Sequence, residues 1–163
     1  NQTIAVDEII LCDDCSKDNT VTIINKYIEA NPSLFKLFIN ETNLKSNANF
    51  EKAIQQKPDA VDSMQYYLEV LQQKQDFQRL ASKATEFSER FPTQPNFYFY
   101  AGSGCNQVKN YQKAKEFLEN GLDFVVDNQP LEVLFYEQLI ISCENLKDTV
   151  NKQRYSTKLK QIK

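Results

Sequence analysis

DFQRLASKATEFSERFPTQPNFYFYAGSGCNQVKNYQKAKEFLENG, residues 76–121, contains two polar turns, Asp76-Phe77 and Asn110-Tyr111, set 34 residues apart, and each opens an amphipathic helix. A fixed period of this size marks stacked supersecondary units. In register, Met64, Tyr67, Leu68 and Leu71 fall over Tyr98, Ala101, Gly102 and Cys105. Leu80, Ala84 and Phe87 fall over Ala114, Leu118 and Gly121, and Pro92 closes the first copy. Small residues such as Gly102 and Ala114 leave room for two helices to approach closely. A third copy can be placed with Tyr136, Leu139, Ile140, Cys143 and Asp148, shifted by four residues, with the extra length in a longer link over residues 123–130. That copy is weaker, with Lys152 where a small residue is expected. Residues 58–163 thus read as three helix pairs, about the fewest that bury a continuous core. The last helix, Thr149 to Ile162, is the terminal cap.

Before Pro58 the pattern differs. Val6 to Cys12 is a β-branched apolar run that reads as a buried strand. Asp13 to Thr20 follows as a dense cluster of turn and cap residues, and Val21, Ile24, Tyr27 and Ile28 then recur at helical spacing. The helix should stop before Asn31-Pro32. Phe35 to Ile39 is a second strand, Asn40 to Asn47 a polar loop, and Phe50, Ala53 and Ile54 mark another helix. Strand, helix, strand, helix is the rhythm of a parallel α/β sheet. The fold class is therefore an α+β composite, a small α/β piece over 1–57 and an all-α repeat array over 58–163.

Composition narrows the chemistry. With 163 residues, 41% hydrophobic and 25% charged, the chain has the make-up of a soluble globular protein. A net charge of −3 gives no ground for nucleic-acid or membrane-surface binding. The longest apolar runs are too short for a transmembrane helix, and no signal peptide is expected at Asn1-Gln2-Thr3-Ile4. There is no histidine, which removes the commonest general base and metal ligand. Cys12-Asp13-Asp14-Cys15 has CxxC spacing, which a redox or zinc site would use, but neither a second CxxC nor a histidine supplies the rest of a zinc site. The other reading is four incidental thiols, with Cys105 and Cys143, in a reducing cytoplasm. Asp18 either belongs to a ligand-facing cluster or caps the next helix, and the cap is favoured.

The segment VDEIILCDDCSKDNTVTIINKYI followed by FKLFINETNLKSNANFEKAI resembles the start of family-2 glycosyltransferases, nucleotide-sugar enzymes of GT-A fold. The resemblance rests on a strand ending Asp-Asp-x-Ser-x-Asp-x-Thr and an Asn-x-x-Asn-Leu block at matching distance. It implies nucleotide binding at Asp13 and Asp14, with Asp14 reaching the base or ribose. Carboxylates at the carboxyl end of a parallel strand do face the crevice where α/β sheets hold ligands. In the family a further strand and helix precede the counterpart of Asn1-Gln2-Thr3. Lys45 stands where a glycine is usual. Gln55-Gln56-Lys57-Pro58 stands where the metal-holding Asp-x-Asp should follow, and that motif occurs nowhere in the chain. No catalytic residue, metal site or cofactor is expected, and a divalent metal and a nucleotide-sugar belong only to an active-transferase reading.

The 34-residue copies resemble the tetratricopeptide repeat. By that resemblance a peptide groove is expected from Gln65, Glu69 and Gln72, from Phe99, Ser103 and Asn106, and from Glu137, Ile141 and Glu144. This set is amide-rich, mildly acidic and free of the Lys/Arg clamp that grips a terminal carboxylate. The partner it implies is a neutral or basic peptide or protein. The aromatics Phe97 to Tyr100 pack between repeats in one reading, with Tyr98 inward, while Phe99 points into the groove in the other. Glu116 to Leu146 has seven acidic residues and no Lys or Arg. The basic last helix packs beside it, or a basic partner does. Two functions stay open. One is a protein-interaction module carrying an inactive transferase fragment. The other is a family-2 glycosyltransferase, or its nucleotide-binding part, whose repeats recruit an acceptor or partner. A two-strand sheet also leaves an edge for a second copy, the route to a homodimer. The change of pattern at residue 57, without a linker, is also what a broken gene or an artificial join produces.

Overall fold

The computed structural model describes residues 9–13, 15–39 and 45–162. Val6, Asp14 and the first part of the expected polar loop, residues 40–44, lie outside the described residues. Eight helices and a two-stranded sheet are formed among those described, and the chain divides into two compact units, Asn1–Ser63 and Met64–Lys163.

In the first unit β1 (Ile9–Asp13) pairs in parallel with β2 (Phe35–Ile39), Ile9 opposite Phe35 and Asp13 opposite Ile39. β1 runs one residue beyond the expected end, so Asp13 is its last residue. Between the strands α1 (Thr20–Ala30) starts after the turn cluster and ends ahead of Asn31-Pro32, where the residue before proline avoids helical backbone. α2 (Lys45–Gln56) begins inside the span expected to be loop. Lys45-Ser46-Asn47-Ala48 has no glycine or proline to break the periodicity that continues through Phe50, Ala53 and Ile54. α1 lies against β2 and α2 against β1. Two strands offer little surface to cover, so α1 has no buried residue and Tyr27 stays 60% exposed. Ile54 is the unit's one fully buried apolar side chain among the described residues.

The second unit is helical: the rest of α3 (Val61–Gln73), α4 (Phe77–Arg90), α5 (Pro95–Gln107), α6 (Tyr111–Leu122), α7 (Gln129–Asn145) and α8 (Thr149–Ile162). One turn is built three times. Gln75, Lys109 and Lys147 take left-handed backbone, φ 58°, 64° and 57°. The next residue, Asp76, Asn110 or Asp148, donates its N–H to the carbonyl of Leu71, Cys105 or Cys143. Its side chain then accepts the N–H of Arg79, Lys113 or Asn151 and starts the next helix. The second turn follows the first by 34 residues and the third follows by 38, which matches the expected four-residue shift. The added length lies between α6 and α7, where Asp127 is also left-handed (φ 50°) and Asn128 caps α7 through the N–H of Leu131.

Close packing needs the small residues. A Cβ at Gly102 would run into the Leu118 side chain, and one at Gly104 would stand 2.8 Å from the backbone nitrogen of Ala81. One at Gly121 would strike Tyr98 and Phe135. Met64, Tyr67, Leu68 and Leu71, then Leu80, Ala84 and Phe87, then Ala114 and Leu118, are all in the core. Of the expected third copy, Tyr136, Leu139 and Cys143 are buried and Ile140 is half-buried. Tyr98, expected inward, is only half-buried and stacks on Phe124 at 5.8 Å. The most deeply buried ring of that run is Phe97, between Phe87 and Phe91 at 5.6 and 6.0 Å. Phe97 lies in the first turn of α5, which Pro95 opens, and its ring is directed back onto α4.

Candidate functional site

Two places can carry chemistry or recognition. In the first unit the carboxyl end of β1 delivers Asp13, 4% exposed, into the turn before α1. Its Oδ2 accepts the N–H of Ser16 at 3.0 Å. Its Oδ1 is buried and has no hydrogen-bond partner among the described residues. A buried carboxylate oxygen left unpaired is costly, so this atom is poised to accept from a donor. Cys15 has left-handed backbone, φ 66°, and its Sγ takes a hydrogen bond from Lys17 Nζ at 3.3 Å. Asp18 Oδ1 accepts from the Thr20 N–H at 2.9 Å and from the Thr20 hydroxyl, which holds its carboxyl below the ordinary range. Asp18 therefore braces the start of α1, in line with the favoured cap reading, although the helix begins one residue later and Asn19 makes no side-chain cap. Cys12 and Cys15 are both half-buried, and burial pushes the Cys12 thiol up. Among the described residues no three His, Cys, Asp or Glu side chains gather as a metal site.

In the second unit, the expected groove residues are found on α3, α5 and α7. Gln65 and Glu69 are half-buried on α3 and bound by α5: Asn96 Nδ2 donates to Gln65 Oε1 at 2.9 Å, and the Tyr100 hydroxyl to Glu69 Oε1 at 3.4 Å. Burial, then the Glu69 charge, pushes Tyr100 up to about 12. Phe99, Ser103 and Asn106 are buried, contrary to the expectation of an open groove wall. The Phe99 ring packs on Tyr100 at 5.4 Å and Phe135 at 5.8 Å. Asn106 Nδ2 donates to the backbone oxygen and Oε1 of Gln138 at 3.0 and 3.1 Å, and its Oδ1 accepts from Ser142 Oγ at 2.8 Å. The reason is geometric: these offsets face the next odd-numbered helix, which covers them. Glu137 is half-exposed and Ile141 and Glu144 are exposed, so only on α7 does the set reach solvent together.

The basic last helix lies along the acidic stretch. Lys152 Nζ meets Glu144 Oε1 at 2.8 Å, Lys158 sits over the Tyr136 ring at 5.6 Å, and the Tyr155 hydroxyl donates to Glu119 at 2.6 Å. Burial and then the Glu119 contact push Tyr155 up, and burial with Glu132 raises Tyr136 to about 12. Lys115 joins Asp148 at 2.8 Å and Glu119 at 3.7 Å. The residues missed from sequence, Asn96, Tyr100, Gln138, Ser142 and Tyr155, sit 31 to 36 positions from their partners. A polar pair one period apart was the available signal for them.

Similarity to known proteins falls unevenly along the chain. The family Glycosyl transferase family 2 matches residues 1–57, so the N-terminal piece is a fragment similar to that family. No curated protein and no solved structure matches the chain significantly. No helix among the described residues is long and apolar enough to cross a membrane.

Proposed function

We propose that the chain is a protein-interaction module, of tetratricopeptide type in residues 58–163, carrying a fragment of a nucleotide-sugar transferase that does not turn over by itself. The observation behind it is the turn repeated at Gln75, Lys109 and Lys147, which stacks like helices side by side and offers a long helical surface. The partner is a neutral or basic peptide or protein, because α7 has Glu132, Glu137 and Glu144 and no cation. Its place of work is the cytoplasm, where thiols such as Cys105 and Cys143 stay reduced. The test is an array of helical and extended peptides of graded charge, probed with the full chain. Retention of neutral and basic members at a Kd of about 100 μM or tighter supports the module. Retention of none overturns it.

A second reading has its own observation: Oδ1 of buried Asp13, without a hydrogen-bond partner among the described residues, in the segment matched by the transferase family. On that reading Asp13 and Asp14 hold a nucleoside diphosphate, with a divalent metal and a sugar donor as companions. Titrating nucleoside diphosphates with Mg²⁺ and following amide signals around Ser16 and Asp18 decides it. Saturable shifts there, with turnover of a nucleotide-sugar, favour the transferase; silence favours the fragment.

A further inference from the structure

The three left-handed turns fix which positions correspond on α3, α5 and α7. Gln72, Asn106 and Glu144 each stand three residues before the turn residue and accept its N–H, at 3.0, 3.0 and 3.1 Å. In that register Glu69, Ser103 and Ile141 correspond, as do Gln65, Phe99 and Glu137. Twice this face is a seat for the following helix. On α3 it receives the hydrogen bonds of Asn96 and Tyr100 from α5. On α5 it receives the Phe135 ring on Phe99, and Gln138 and Ser142 on Asn106, all from α7. Each covering helix brings hydrogen-bonding side chains to the polar positions, and α7 adds a ring.

On α7 the same face reaches solvent. Ile141, which replaces the small Ser103, is 39% exposed, and Leu134, two turns earlier on the same side, is 42% exposed. Along the same face Glu137 stands between this apolar pair, and Glu144 follows one turn after Ile141. A second copy is a poor occupant, since pairing two α7 faces would bring like rows of carboxylates together. Lys152, bonded to Glu144, is partly exposed and long-stemmed, so an incoming cation can share or replace it.

We propose that Leu134, Glu137, Ile141 and Glu144 form a docking seat for a basic amphipathic helix of a partner protein, laid on α7 as α5 lies on α3 and α7 on α5. The occupant places apolar side chains on Leu134 and Ile141 and Lys, Arg or Tyr donors toward Glu137 and Glu144. This seat rests on the interaction-module reading and names its surface and partner class.

The experiment is an amide NMR titration of the full chain with a designed helical peptide bearing Leu at i, i+4 and i+7 and flanking Lys, beside a control with Glu in place of Lys. The seat requires shifts centred on Leu134 to Asn145, and binding weaker by about tenfold or more for the acidic control. Ile141→Lys and Leu134→Gln should each weaken the basic peptide by about tenfold, with the melting temperature unchanged because both side chains are exposed. Shifts centred instead on Gln65, Glu69 and Gln72, or affinity indifferent to Ile141→Lys, overturn the seat and leave the module reading standing. No shift with any peptide, repeated on the charge-graded array, overturns both.

Discussion

Asn106 is buried, polar and bonded on both ends of its amide, to Gln138 through Nδ2 and to Ser142 through Oδ1. Removing the amide leaves the Gln138 side chain and the Ser142 hydroxyl to find other partners in a closed interface. Asn106→Ala should therefore destabilise the helical unit by about 1–3 kcal/mol in urea unfolding followed by circular dichroism. Gly104 sets a second test, because two opposing effects can be weighed. Alanine gains about 1 kcal/mol in helix propensity, yet its Cβ would stand 2.8 Å from the Ala81 backbone nitrogen, which cannot swing aside as a side-chain tip can. Overpacking costs about 1–3 kcal/mol, so Gly104→Ala should be destabilising on balance, seen as a lower urea midpoint. Gly104 was not legible as a contact from sequence. Gly102 and Ala114 were, since both stood at a repeat offset that asks for a small residue. Phe99 shows the limit of such offsets, which give a side of the helix but not what the next helix places there.

The elements were more legible than the residues. β2 and α8 have the bounds expected of them, because Phe35 to Ile39 is a short apolar run between turn residues and α8 starts behind an Asp cap. The start of α2 was not legible, since Lys45-Ser46-Asn47 is polar and helical at once. α8 is held at its start by Asp148, which caps the helix through the Asn151 N–H at 3.1 Å and meets Lys115 of α6 at 2.8 Å. The Lys115 bond, then Asn151, holds the Asp148 carboxyl down at about 2, against about 3.9 for a free aspartate. The folded value lies below the unfolded one, so the contribution is complete above about pH 4 and is lost as pH falls toward 2. Melting temperatures of the full chain should drop across that window. Asp148→Asn keeps a good cap but removes the charge, so it should lower stability at pH 7 and flatten the acid limb. A variant with an unchanged acid limb would detach the pH dependence from this pair.

At the scale of the molecule the two units differ in how they bury apolar surface. The helical unit encloses Tyr67, Phe87, Phe97, Phe135, Leu118 and Leu139 almost completely. Among the described residues the α/β unit has a two-strand sheet, an α1 with no buried residue, and Ile23 and Ile39 about half exposed. The strand-helix-strand order was readable from short β-branched runs and turn clusters. How little those elements would cover was not, because burial depends on strand number, which a local pattern does not carry. A parallel sheet is stable when both faces are covered, and two strands are marginal alone. Local opening should therefore be far easier in the first unit than in the second. Hydrogen exchange on the full chain should show the amides of Ile23 to Ala30 exchanging at least about a hundredfold faster, relative to their unfolded rates, than those of Phe99 to Asn106, a gap of about 2.7 kcal/mol in opening free energy. Equal protection in the two segments would mean that the units unfold as one, and that the sparse burial around β1 and β2 is offset by interactions those elements do not make themselves.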